Sequence, residues 1–340
     1  MPGSPWDADE RNFPEKGGVE ERLRFLLNYA VLAPSSHNTQ PWLFDVKGPT
    51  VEIYADRTRA LPVVDPEDRA LTISCGAALF NLRAALSRFD YGYSVEVLPV
   101  RSNPDLLARV TIAGKDGESE DEARLFESIK MRRTNRMPFQ KTGVPPDVKD
   151  RIEQAASIEG AWLYTCDSLE ERLKVADLVA EGDRIQAGSR LFRRELASWV
   201  HSNRTRSRDG MPGYAFGISD SVSYASPLVI RTFDWGKGQA ARDRQLAEGS
   251  PLLTVLCTGD DTPASWINAG TALERTLLTA CLNGIYASFL NQPIEVSTLR
   301  PRLKEITGKG HPQIILRMGY GPEVRPTPRR ALSEVILQEA

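Results

Sequence analysis

The sequence predicts an α+β fold assembled from two tandem units that echo each other. Two pairs of segments carry this reading. Trp42-Leu43-Phe44 is matched 120 residues later by Trp162-Leu163-Tyr164, and Gly76-Ala77-Ala78-Leu79 is matched 194 residues later by Gly270-Thr271-Ala272-Leu273. The third observation is order. Helix, loop, strand, strand, glycine-led apolar helix and strand occur in both parts. The two spacings differ by 74 residues, which reads as an insertion in the second unit.

Each element has a local reason. Val19–Leu32 places Leu23, Leu26, Leu27, Ala30 and Val31 at helical spacing, and Pro34 ends the helix. Trp42–Val46 and Thr50–Ala55 alternate as short strands around a Lys47-Gly48-Pro49 turn. Ile73–Phe89 reads as a buried helix beginning near Gly76, followed by strands at Val95–Val100 and Ala108–Ala113. Gly114–Glu122 is polar and charged and reads as a linker, so the first unit spans 19–113 and the second 123–340. In the second unit Ala123–Met131 and Pro145–Ala156 read as helices, and Trp162–Thr165 and Leu252–Cys257 as strands. Ala269–Leu282 reads as a long apolar helix and Gln313–Met318 as a last strand. Within the insertion Ser189–Val200 looks helical, whereas Ser202–Ser226 is rich in Gly, Ser and Arg without a clear period. Such a segment is either a lid over a site, placed at about 183–226, or a plain surface excursion.

Composition narrows the function. The 340 residues carry 43 basic and 45 acidic side chains, a net charge of −2, so nothing draws the whole chain toward nucleic acid or an anionic membrane. Any basic site is local. Cys75, Cys166, Cys257 and Cys281 are far apart, and buried reduced thiols in a reducing compartment fit them better than disulfides. His37, His201 and His311 share no metal-ligand spacing, so no metal site is expected. The start of the chain has no apolar core segment of a signal peptide, and no run reaches the roughly 18 apolar residues of a membrane span. A cytoplasmic location is the expectation.

Four constellations could carry chemistry. Ala33-Pro34-Ser35-Ser36-His37-Asn38-Thr39-Gln40-Pro41-Trp42 offers many donors and acceptors in a frame stiffened by proline, suited to a planar polar ligand. Arg132-Arg133-Thr134-Asn135-Arg136 places guanidinium forks and a hydroxyl together, which matches phosphate oxygens and equally a solvated surface run. Gln292-Pro293-Ile294-Glu295 and the tail Arg325-Pro326-Thr327-Pro328-Arg329-Arg330 complete the set.

The first run resembles the flavin-edge loop A-P-S-x-x-N-x-Q-P-W of the FMN-dependent nitroreductase superfamily, and all its specified positions match. The arginine run resembles the R-R-S-x-R-x-F signature of that family, with threonine for serine and Phe139 following. Gln292–Glu295 resembles its P-I-E-G segment, with Val296 in place of glycine. The resemblance implies a nitroreductase-like fold of antiparallel-rich mixed sheets flanked by helices. Ordinary members are homodimers with the flavin at the interface. Here the first unit has the loop and the second has the arginines and tail, so one complete site can be assembled. That arrangement resembles the tandem, single-chain Acg-type branch, an intramolecular pseudo-dimer with one FMN per chain.

The resemblance also assigns roles. Arg132, Arg133, Thr134, Arg329 and Arg330 would hold the FMN phosphate. Arg136 would lie near the ring and favour its reduced anion. Pro34, Ser35, Ser36, Asn38 and Gln40 would contact the flavin from the other unit. Pro293, Ile294 and Glu295 would approach it, with the Glu295 backbone amide facing the reactive nitrogen. The implied activity is NAD(P)H-dependent two-electron reduction of a nitroaromatic, quinone or similar small acceptor by ping-pong hydride transfer. There is no G-x-G-x-x-G after a strand, so the nicotinamide would share the flavin pocket. The alternative is a lidded flavin-storage protein with little or no turnover. Further self-association stays open.

Overall fold

The computed structural model describes residues 4–114 and 119–337. Two short 3-10 turns lead into α1 (Val19–Ala30). A loop then feeds β1 (Trp42–Lys47), β2 (Thr50–Ala55), α2 (Arg69–Arg88), β3 (Gly92–Val97) and β4 (Leu106–Gly114). The second half opens with α3 (Glu120–Phe126), α4 (Pro146–Ile158) and β5 (Ala161–Thr165). A long excursion follows: α5 (Leu169–Gly188), α6 (Arg190–Trp199), β6 (Val200–His201), β7 (Met211–Pro212), α7 (Asp220–Ser223), α8 (Ser226–Thr232) and α9 (Gly236–Glu248). The half closes with β8 (Leu252–Thr258), α10 (Pro263–Leu282), β9 (Tyr286–Phe289), α11 (Gln292–Glu295), α12 (Arg300–Thr307) and β10 (His311–Gly319).

The two main sheets are built alike. Their orders are β1-β2-β4-β3 and β5-β8-β10-β9, antiparallel throughout, so each strand of one has a counterpart in the other. Register agrees as well. Trp42 pairs with Ala55, and Trp162 pairs with Cys257. Those anchors make Val51 the counterpart of Leu253, and their partners Val110 and Arg317 counterparts in turn. Across the next strand Val110 pairs with Val95, whereas Arg317 pairs with Ser288. An apolar pair in the first sheet is therefore a polar pair in the second.

Helices α2 and α10 form the seam between the halves, and their glycines meet there. A Cβ on Gly76 would run into Ile267 O and lie 3.0 Å from Gly270 Cα; one on Gly270 would run into Ile73 O and lie 2.7 Å from Gly76 Cα. Both pairs, Ile73/Ile267 and Gly76/Gly270, keep the 194-residue spacing. Reciprocal contact of this kind is the mark of a two-fold interface, here within one chain. Ala77, Ala78, Ala269 and Ala272 extend the small-residue surface, all buried.

The last residues cross back to the first half. Phe44 N donates to Val335 O at 2.7 Å and Leu337 N to Phe44 O at 2.8 Å, adding an arm to the outer edge of β1. This crossing carries Arg329 and Arg330 to the loop before β1.

Several sequence expectations shift. The helix expected at Ile73–Phe89 begins earlier, at Arg69, and is capped by Asp65, whose Oδ2 accepts from Leu71 N at 2.8 Å. The Ala123–Met131 helix is instead Glu120–Phe126, because Ser119 accepts from Glu122 N and starts the turn. Residues 115–118 of the expected linker lie outside the described residues. The excursion between β5 and β8 is longer than 183–226 and holds α5 and α9, neither of which the sequence reading placed. Among the described residues α2 alone is long and apolar enough to cross a membrane, and 94% of that stretch is buried in the fold. All four cysteines are free thiols.

Candidate active site

A cavity of about 540 Å³ opens where the halves and the excursion meet. Its walls include Pro34, Ser35, Ser36, His37 and Asn38 of the first half, and Thr134, Arg136, Arg317, Thr327 and Arg329 of the second. Ser288–Gln292 and Glu295 form another side. The excursion roofs it with Phe192, Leu196, Val200, Met211, Phe216 and Ile218.

The loop holds an unusual backbone. His37, Asn38 and Gln40 all have φ between 51° and 56°, in the left-handed region that non-glycine residues rarely visit. Side-chain amides hold it there. Asn38 Oδ1 accepts from Arg329 Nη1 at 2.8 Å, and Asn38 Nδ2 donates to Gly210 O at 2.9 Å and Pro328 O at 3.0 Å. Gln40 Oε1 accepts from Arg330 N at 2.7 Å, and its Nε2 donates to Arg208 O at 2.9 Å. Ser35 Oγ accepts from Gln40 N at 2.9 Å. The amides thus tie loop, tail and excursion together, and Gln40 does not line the cavity.

The arginines divide by task. Arg132 Nη2 and Arg329 Nη2 donate to Leu32 O, at 3.1 and 3.2 Å, and Arg329 Nη2 also reaches Ala33 O at 3.2 Å. They satisfy carbonyls just past the end of α1, where its dipole is negative. Arg133 donates to Lys130 O and Arg132 O and stacks on Trp6, 4.3 Å from the ring centre. Arg330 pairs with Asp56 at 3.2 Å and donates to Gln40 O. Arg132, Arg133 and Arg330 are absent from the cavity wall, whereas Thr134, Arg136 and Arg329 are on it. Asn135 N bonds Ala287 O at 2.9 Å, which docks the arginine run on β9 and aims Arg136 inward.

The Glu295 amide, expected to face a reactive nitrogen, donates instead to Asn291 O at 3.0 Å within α11. With valine at 296 the segment closes into a helical turn and Val296 N bonds Gln292 O, where the family pattern has glycine. Glu295 still lines the cavity, and its carboxyl accepts from Gln186 Nε2 at 2.7 Å. Pro293 and Ile294, within α11, are buried and off the cavity wall. Of the aromatic residues in the insertion, Phe216 lines the cavity 4.9 Å from the Arg136 guanidinium, Tyr214 packs on Arg325, Trp199 on Arg59, and Tyr224 is exposed.

Electrostatically the arginine side is cationic and buried. Among the described residues Arg136 has no carboxylate partner within ion-pair distance and donates to Met211 Sδ alone. Arg317 is 1% exposed, donates through Nη2 to Asn135 O and Met137 O, and leaves Nε and Nη1 unpartnered. The Nε of Arg329 is unpartnered too. Burial lowers Arg136 and Arg317 to about 10 and Arg329 to about 9, so all three stay charged at neutral pH. His37, with an unpartnered Nε2, is held neutral by burial and by Arg136, at about 4. Behind them lies the buried acid Glu274, 3.4 Å from Arg132 and raised by burial to about 7. Sequence reading missed Arg317. Its signal was present as a lone arginine in the apolar strand Ile314–Met318.

The other wall is acidic. Asp183, Asp243 and Glu295 line it, and burial raises all three, Asp183 to about 8 and Glu295 to about 7. A carboxyl raised on folding binds a proton that the unfolded chain has released. Its contribution is full below about pH 4 and is lost as pH rises to about 8. Asp183→Asn removes that dependence. In thermal unfolding followed from pH 4 to 8, the wild-type midpoint is expected to fall relative to that of Asp183→Asn; parallel curves contradict the assignment.

No family model matches the chain. Rv3131 of Mycobacterium tuberculosis, provisionally named an NAD(P)H nitroreductase, is 30% identical over 335 residues, covering 97% of this chain and 94% of that protein. Acg of the same organism, provisionally given the same name, is 27% identical over 336 residues, covering 95% and 97%. Among solved structures, the FMN-dependent nitroreductase NfnB of Mycobacterium smegmatis in complex with NADPH aligns at 17% identity over 64% of this chain and 99% of that one, with a TM-score of 0.42. Full-length similarity to Rv3131 at this identity places the chain in the NAD(P)H nitroreductase family, beside the Acg-type proteins.

Proposed function

We propose that the chain binds one FMN in the seam cavity and reduces a small nitroaromatic or quinone-like acceptor at the expense of NAD(P)H. The observation that carries this reading is the cavity itself. It joins the Pro34–Asn38 loop of one half to Thr134, Arg136, Arg317 and Arg329 of the other, and Arg317 and Arg329 keep buried guanidinium nitrogens without a partner. That donor set fits a ligand with an anionic tail and a ring that gains negative charge, which is what FMN presents. The relatives' names supply the nicotinamide as hydride donor.

Bound FMN would supply the two-electron carrier that no side chain offers. The protein's part is position and electrostatics. Arg329 and Thr134 would hold the phosphate. Arg136 and Arg317, desolvated cations, stabilise negative charge inside the cavity more than they would in water. Arg132 and Arg133 support that wall from behind. Phe192, Leu196, Val200 and Met211 exclude water from above. The pseudo-symmetric place lacks a counterpart of the Pro34–Asn38 loop. Only residues 159–160 join α4 to β5, and Glu159 there is bonded to Arg83 at 2.7 Å and Arg275 at 2.8 Å. With Val110 where the other half has Arg317, one flavin per chain is the expected stoichiometry. A cytoplasmic location accords with the free thiols.

The second reading is a lidded flavin store. It is favoured by the hydrogen bonds from Asn38 and Gln40 that fasten residues 208–210 over the loop. Stopped-flow mixing of the yellow protein with NADPH or NADH, without oxygen, separates the two. The enzyme reading expects the flavin band to bleach within seconds. A band that persists, and bleaches only after residues 202–226 are deleted, would establish the store.

A further inference from the structure

The acidic wall has no part in holding an anionic cofactor, and its geometry is specific. Asp183 on α5 and Asp243 on α9 both accept from one nitrogen, Gln292 Nε2, at 3.0 Å each. Close backbone approach fixes the pair. A Cβ on Gly182 would lie 2.7 Å from Gln292 Cβ, so only glycine lets α5 come this near to α11. Asp183 is 3% exposed, lines the cavity, and its Oδ2 has no hydrogen-bond partner; Gln292 Oε1 has none either. Glu295, one turn further, accepts from Gln186 Nε2 at 2.7 Å.

No ammonium or guanidinium lies within ion-pair distance of these three carboxyls among the described residues. The charges that face them are few. Asp183 feels Asp243, Glu295 and Arg184; Asp243 feels Asp183, Arg242, Arg317 and, across the cavity, Arg136, and is hydrogen-bonded by Gln239; Glu295 feels Arg69, Asp65 and Glu195. A buried carboxylate without a cation is costly, and protonation removes the cost. Two carboxyls bridged by one amide nitrogen repel each other when both are ionised, so the pair keeps one proton.

We propose that Asp183 is the general acid of this cavity: beside Asp243 it holds a proton and gives it to an oxygen of the electron acceptor. The proposal rests on the flavin reading above and adds the proton that this chemistry needs. A quinone that receives a hydride equivalent, ultimately from a reduced nicotinamide, at one oxygen becomes a hydroquinone monoanion. The Asp183 O–H bond then breaks, its proton joins the second oxygen, and the carboxylate is reprotonated from water. The acceptor class is therefore one with a basic oxygen, quinone or nitro.

Two measurements on the full chain test this. The first is infrared titration of wild-type, Asp183→Asn and Asp183→Asn/Asp243→Asn protein, with and without FMN. At neutral pH the wild type is expected to show the carbonyl stretch of a protonated carboxyl, diminished in Asp183→Asn and further reduced in the double variant. The second is the rate of quinone reduction against pH. In wild type it falls as pH rises past about 8. In Asp183→Asn it is about 100-fold lower and flat across that range. A yellow protein in which Asp183→Asn leaves both the band and the pH profile unchanged overturns this inference alone. A protein that takes up no FMN yet keeps the band overturns the flavin reading, and the proton-transfer step with it.

Discussion

Arg329→Ala is expected to emerge from purification colourless and less stable by about 3 kcal/mol. Arg329 does two things at once. Its Nη2 satisfies Leu32 O and Ala33 O past the end of α1, and its Nη1 grips Asn38 Oδ1. Truncation orphans Ala33 O and Asn38 Oδ1, while Leu32 O keeps Arg132, in a place where Arg329 is 5% exposed, and each unsatisfied buried group costs about 1–3 kcal/mol. It also frees the loop whose left-handed residues it helps to hold and removes a charge from the cavity. Arg329→Lys separates the two effects. A lysine keeps the charge but lacks the fork that spans two sets of acceptors, so it should retain part of the colour and little of the stability. Flavin absorbance per protein and urea unfolding read the two effects. A yellow Arg329→Ala with unchanged unfolding would refute both assignments.

The second large effect is at the seam. Gly270→Ala should lower stability by about 2–3 kcal/mol, and Gly76→Ala by a similar amount. Ordinary helix propensity predicts the opposite sign, because alanine is the better helix former by about 1 kcal/mol. Here the added methyl meets the facing backbone, which cannot move aside as a flexible side chain could. Gly143, which has open space around its would-be Cβ, is the control, and Gly143→Ala should be near neutral. Equal unfolding midpoints for Gly270→Ala and Gly143→Ala would show that α2 and α10 do not meet as described.

How much of this was legible in the sequence depended on how local each signal was. The loop Pro34–Gln40 and the arginine run announce themselves by dense polar residues held between prolines or at helical spacing. The glycine-led helices were legible as a repeat, and their meeting glycines follow from that repeat. The uses of Asn38, Gln40, Arg132 and Arg330 were not. Each has enough hydrogen-bonding capacity to bind a ligand or to fasten the chain, and long-range placement spends it on the chain, even for Asn38, which also lines the cavity. The tail's crossing to β1 brings Arg330 to Asp56, a pairing no local pattern encodes. The Glu295 amide went astray for a local reason: valine at 296 lets the segment close as a helical turn. Asp183 and Asp243 were hidden because α5 and α9 bury polar side chains against each other and α11. Their apolar faces are too broken to read by period.

The most direct test of a single flavin gripped across the seam is the flavin count. Native mass spectrometry of the protein saturated with FMN, checked by absorbance after gel filtration, should give one FMN per chain whatever the oligomer. Two per chain would mean that the pseudo-symmetric place is open despite Glu159 and Val110. None, with FMN in excess, would mean that the arginine-lined cavity serves another ligand.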